Sequence, residues 1–177
     1  APGLHWPCAR AACCAVAVMP LLRIIASVIA ADGPCPLDRY MGLRSGHHAY
    51  CYCMHRGPLG GQGDFVTAPE ISQIFGELVG VWCATAWVAM GKPPKFNLVE
   101  LGPGRGTLMA DILKASKAMP GFGDAAKVHL VEISPVLCKL QGEKLGRNAT
   151  WHETLATVGD GPMLLVANEF FDAIPIR

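Results

Sequence analysis

The stretch Leu98-Val-Glu-Leu-Gly-Pro-Gly-Arg-Gly106 sets a carboxylate, Glu100, just before three alternating glycines, Gly102, Gly104 and Gly106. This spacing suits the binding of a nucleotide-like ligand. Glycine permits a tight turn and leaves no Cβ between backbone and ligand. A helix starting directly after the turn aims its unpaired N–H groups at the same place. The carboxylate can hold a cationic part of the ligand. A second acid, Glu132, ends the apolar run Lys127-Val-His-Leu-Val-Glu132, 26 residues beyond Gly106. An acid there can accept hydrogen bonds from ribose hydroxyls. The alternative is a capping role for Glu132, but Ser134-Pro135 supplies a better helix start. A third group, Asn168, Glu169 and Asp172, directly follows the apolar run 162–167. Asp172 alone could cap a helix. Three polar residues together suit the reacting end of a ligand.

These residues need a scaffold that brings them together. Residues 96–101 read as a strand and 107–118 as a helix, with further strands over 127–132, 149–153 and 162–167. This alternation predicts an α/β fold, a doubly wound Rossmann-like sheet, with ligands outside the carboxyl ends of its strands. Upstream, Gly60-Gly-Gln-Gly63-Asp64-Phe65 is a loop, expected to form one wall of the pocket. Thr67-Ala-Pro-Glu70 reads as a capping box. The helix after it carries Ile71, Ile74, Phe75, Leu78, Val81, Trp82 and Thr85 at helical spacing. That stripe is expected to face the core.

The glycine pattern distinguishes two ligand classes. A dinucleotide fingerprint is G-x-G-x-x-G with an acid about 20 residues on. Here Thr107 stands at the third glycine's place and the glycine comes one residue earlier. The form Glu-x-Gly-x-Gly-x-Gly resembles the first motif of class I S-adenosyl-L-methionine (SAM) methyltransferases. An NAD-dependent oxidoreductase remains the alternative.

Composition bounds the rest. A chain of 177 residues, 51% hydrophobic and 16% charged, can bury a core as one folded region and is not disordered. A formal charge of +1 gives no support for nucleic-acid binding. His47, His48 and His55 lie near Cys51 and Cys53, but the spacing fits no standard zinc site, so no metal is expected. The eight cysteines follow no repeating pattern and read as reduced thiols of a cytosolic-type compartment. Residues 11–31 are nearly all apolar, which suits a membrane span, a signal segment or a transit peptide. Arg23 near the middle argues against a span. From Leu21 the pattern leaves Arg23 and Ser27 on one face of an amphipathic helix that ends at Asp32-Gly33-Pro34.

Three long motifs carry a closer resemblance. Gly63-Asp-Phe-Val-Thr-Ala-Pro-Glu-Ile-Ser-Gln73, Asn97 through Met109, and Val166-Ala-Asn-Glu-Phe-Phe-Asp-Ala-Ile-Pro175, in that order, resemble the MidA family of SAM-dependent methyltransferases. The similarity runs from about Leu21 to the last residue. It implies a class I methyltransferase fold, SAM as cofactor, and methylation of an arginine side chain on a protein substrate. The family includes the mitochondrial assembly factor of respiratory complex I. Carried over by position, Glu100, Gly102, Gly104, Gly106 and Glu132 match the SAM site, and Gly63, Asp64 and Thr67 match the family's loop. The chain departs from the family in the loop 44–56, where Cys51 and Cys53 interrupt an expected Gly-Tyr-Tyr. Gly57 also stands where an acid is usual. The chain stops where family members run on, and is expected to be an N-terminal fragment, with 1–18 a leader outside the native fold, 19–92 a helical and loop region, and 93–177 a partial SAM-binding domain. The expected location is a bacterial cytoplasm, with a mitochondrion as the alternative. A non-catalytic SAM-binding assembly factor is the alternative function.

Overall fold

The computed structural model describes residues 11–46 and 67–175. These divide into two compact units, one holding 11–46 with 173–175, the other 67–172.

In the first unit, α1 (Ala11–Asp32) and α2 (Leu37–Gly46) are helices. α1 ends where Gly33 takes φ +86° and its N–H bonds to the Ile29 carbonyl at 2.9 Å. Glycine adopts that left-handed conformation without a Cβ penalty. Arg23 and Ser27 are exposed, as the amphipathic reading expects, but so are Leu22 and Ile29, so only part of the apolar stripe is covered. An exposed Arg39–Asp32 ion pair at 2.6 Å joins the two helices, a contact that stabilises little in water. Among the described residues no helix is long and apolar enough to cross a membrane.

The second unit is built on four parallel strands: β1 (Phe96–Leu101), β2 (Ala126–Val131), β3 (Ala149–His152) and β4 (Met163–Ala167), in the order β3-β2-β1-β4. β1 is central and buried along its whole length, as a strand covered on both faces must be. The helices are α3 (Ala68–Ile71), α4 (Gln73–Ala89), α5 (Thr107–Ser116), α6 (Phe122–Ala125) and α7 (Pro135–Leu145). On one face of the sheet, Cys83 and Trp87 of α4 and Leu108, Met109 and Ile112 of α5 join Phe96, Leu98 and Leu130 in the main core. Phe122 meets the Trp87 and Phe96 rings edge-on at 5.8 and 5.1 Å. The other face holds a smaller cluster of Val99, Leu101, Val131 and Val158. Beside it a polar chain crosses three strands: His129 bonds Asn97 Oδ1 at 3.2 Å and His152 at 2.9 Å, and His152 bonds Thr157 at 2.9 Å.

The helix before β1 corrects two sequence-based expectations. Ser72 is extended (φ −144°, ψ 117°) and splits the expected single helix into α3 and α4. Most of the apolar stripe does not face the core: Ile74, Leu78 and Trp82 are 65%, 64% and 58% exposed, and Ile71 and Val81 are exposed with them, while Phe75 packs against the core. The residues it buries are Gly76, Gly80, Cys83, Ala84 and Trp87, and the first, second and fourth of these form a seam of small residues. A Cβ on Gly80 would lie 2.8 Å from the Ile112 carbonyl oxygen and 2.9 Å from the Ala115 Cβ. Helix α5 therefore packs against a glycine seam, and close backbone approach won over large apolar side chains.

Candidate cofactor site

The carboxyl ends of the strands bring the predicted residues into one row. Leu101 of β1 is paired with Val131 of β2 and with Ala167 of β4. The next residues along are Glu132, Gly102 and Asn168. The ladder continues into this row: the Gly102 N–H bonds the Val131 carbonyl at 3.0 Å, and the Glu132 N–H bonds that of His152 at 2.9 Å. Strand spacing of about 4.8 Å puts Glu132 and Asn168 on either side of the glycine turn, roughly 10 Å apart.

All three glycines of the turn take positive φ: 59° at Gly102, 55° at Gly104 and 74° at Gly106. The space that a side chain would fill at two of them is taken by protein. A Cβ on Gly102 would sit 2.6 Å from the Phe170 ring, and one on Gly106 would sit 3.3 Å from Gln141 Cγ. Sequence reasoning assigned that room to a ligand; here it lets Phe170 and Gln141 pack on the turn.

Glu100 is 3% exposed. Its carboxylate accepts a hydrogen bond from the Met109 N–H, in the first turn of α5. Gly106, at the N-cap of α5, has no side chain to offer, so a residue of the neighbouring strand serves instead. Glu100 Oε2 is buried without a hydrogen-bond partner. Burial pushes the Glu100 pKa up to about 8, and the Met109 hydrogen bond offsets part of that rise.

Glu132 stands one residue past β2. Its Oε1 accepts the N–H groups of Ile133 and Ser134 at 2.9 and 2.8 Å, and its Oε2 accepts from Gln141 Nε2 at 3.4 Å. Burial raises its pKa, against those three hydrogen bonds. Ser134, not Glu132, caps α7, with its Oγ accepting from the Leu137 N–H at 3.4 Å.

The capping box at Thr67 does not form. Thr67 is the N-cap of α3 without a side-chain hydrogen bond. Glu70, its expected partner, instead accepts from the Thr107 hydroxyl, which in turn accepts from Lys144 Nζ at 2.6 Å. A tertiary partner displaced the local one, and it ties α3 and α7 to the first residue of α5. Thr67 is half-buried at the start of α3, whereas Gly63 and Asp64 lie outside the described residues, as do His47, His48, Cys51, Cys53 and His55. Past β4, Asn168 is half-buried while Glu169 and Asp172 are exposed. Glu169 has φ +48°, a conformation non-glycine residues seldom adopt.

Residues 78–177 match the model of a family of S-adenosyl-L-methionine-dependent methyltransferases. The chain belongs to the MidA family. Among curated MidA relatives, the mitochondrial protein arginine methyltransferase NDUFAF7 of Xenopus laevis is 40% identical over 182 residues, covering 89% of this chain and 42% of its own. The human protein of the same name is 40% identical over 188 residues, covering 90% and 42%. A superfamily member from Burkholderia thailandensis, crystallised bound to S-adenosyl-homocysteine, superposes with a TM-score of 0.73 at 26% identity, over 98% of this chain and 46% of that one. The chain thus spans less than half the length of the relatives it matches.

Sequence reasoning missed Gln141. It is 0% exposed, and its amide reaches Gly104, Glu132 and Trp151. The available signal was its place four residues after Leu137 on the buried side of α7, a polar residue where the helix calls for an apolar one.

Proposed function

We propose that this chain carries the SAM-binding half of a methyltransferase that acts on arginine side chains of a protein substrate, linked to assembly of respiratory complex I. The observation that carries the reading is Glu132, an acid anchored by two backbone N–H groups at the carboxyl end of β2, directly beside the glycine turn. The residues present fit the cofactor. Glu132 retains acceptor capacity for ribose hydroxyls, and the unpartnered Glu100 oxygen is a place where nearby positive charge is favourable. Gly102, Gly104 and Gly106 hold the turn. When bound, SAM supplies an electrophilic methyl group on a sulfonium.

The chain's own residues do the rest by positioning. Glu169 and Asp172 hold and orient the guanidinium, with Asn168 as a neutral amide beside them. A guanidinium is almost never neutral in water, so an acid must take its proton as the methyl arrives. Glu169 and Asp172 are the acids at that end of the row. The curated relatives are mitochondrial, which favours the mitochondrial alternative over a bacterial cytoplasm.

Titration calorimetry with S-adenosylhomocysteine and with NAD tests this reading. We expect S-adenosylhomocysteine to bind, Glu132→Ala to weaken it by roughly 100-fold or more, and NAD not to bind. Binding of NAD alone would make the site that of an oxidoreductase. For the acceptor end, Glu169→Gln in the natural polypeptide carrying this sequence is expected to lower methylation of an arginine-containing peptide with cofactor affinity kept. Unchanged methylation would remove Glu169 from the mechanism.

A further inference from the structure

Gln141 is a fully buried amide whose three hydrogen bonds admit one orientation. Its Nε2 donates to the Gly104 carbonyl at 2.7 Å and to Glu132 Oε2 at 3.4 Å. Its Oε1 accepts from Trp151 Nε1 at 2.8 Å. A carbonyl only accepts and an indole N–H only donates, so the amide cannot flip. Three elements are therefore joined through one side chain: the glycine turn after β1, the acid after β2, and β3. Gly106 leaves the room, since its missing Cβ would press on Gln141 Cγ. A buried polar side chain in an apolar helix face costs stability unless every group is paired, and here each is.

We propose that Gln141 is a positioning residue, which aims the Glu132 carboxylate at the ribose of the bound cofactor and holds the glycine turn at a set distance from it. This rests on the SAM-site reading above. Two backbone donors fix Oε1 of Glu132, and the Gln141 amide is the side chain that restrains Oε2, the oxygen left for a ligand hydroxyl. Without it Oε2 loses its side-chain donor, and the glycine turn loses its tie to α7.

The test is a ligand cycle read by calorimetry, with S-adenosylhomocysteine and its 2′-deoxy analogue as probes. The wild-type chain is expected to prefer the ribose form by roughly tenfold or more, the cost of leaving a buried acceptor unpaired. Gln141→Leu, of similar volume and unable to donate, is expected to reduce that preference to about threefold or less while circular dichroism shows an unchanged fold. Trp151→Phe is a milder second variant: it removes one of the two bonds that orient the amide, and is expected to lower the preference part-way. If both variants weaken the two ligands equally and keep the wild-type preference, Gln141 supports the fold alone and the proposal is overturned. If Gln141→Leu does not fold, Trp151→Phe decides by the same ratio. A wild-type chain that binds neither probe overturns the cofactor reading itself, an outcome distinct from a kept preference.

Discussion

Glu100 shows how burial and function pull on one side chain. Its folded pKa of about 8 lies above the ordinary carboxylate value, so the folded chain holds a proton that the unfolded chain has already released. Stability then falls as pH rises, beginning above the unfolded value of about 4.5 and levelling off past 8. Glu100→Gln should therefore stabilise the chain above pH 8, by on the order of 5 kcal/mol. The gain should vanish near pH 4, as thermal unfolding across pH will read. A cation arriving beside Glu100 favours the charged form, so cofactor binding near pH 7 should release protons. Calorimetry in buffers of different ionisation enthalpy measures that release, and Glu100→Gln should abolish it. Cys83, buried beside the same core, has a thiol pushed up to about 11 by burial and then by Glu100. It should resist alkylation by iodoacetamide at pH 8 in the folded chain and react once unfolded.

The elements packed around β1 explain where pattern reading failed. An apolar stripe at helical spacing predicts a buried face, and in α4 the large residues Ile74, Leu78 and Trp82 stand outside it. Gly76, Gly80 and Ala84, spaced four apart, form a flat seam on which α5 lies. Gly80→Leu should cost roughly 3 kcal/mol or more, since backbone of α5 stands in the way. Leu78→Ala should change stability by no more than about 0.5 kcal/mol. Chemical denaturation of the two variants checks the order, and a reversed order would return the stripe to the core. The capping box is unformed because the Glu70 carboxylate is taken by the Thr107 hydroxyl.

For the molecule as a whole, the parallel order β3-β2-β1-β4 decides which polar residues flank the glycine turn. Glu132 and Asn168 are 36 residues apart in the chain, yet each follows a strand that pairs with β1, so both flank Gly102. The strands, the glycine turn and the acid-ended run were legible in the chain because each rests on local pattern: a short apolar run, glycine before a helix, serine before proline. The family motifs were legible for the same reason, as unbroken stretches. Four things depended on partners far away in sequence and were settled by the fold alone. They are the outward turn of the α4 stripe, the capture of Glu70 by Thr107, the capping of α5 by Glu100, and the Gln141 amide holding Gly104, Glu132 and Trp151 together. A periodicity reports that a face is apolar, but not whether a neighbouring helix takes the large face or the glycine one. Close packing makes that choice by comparing whole surfaces, and no local window contains both.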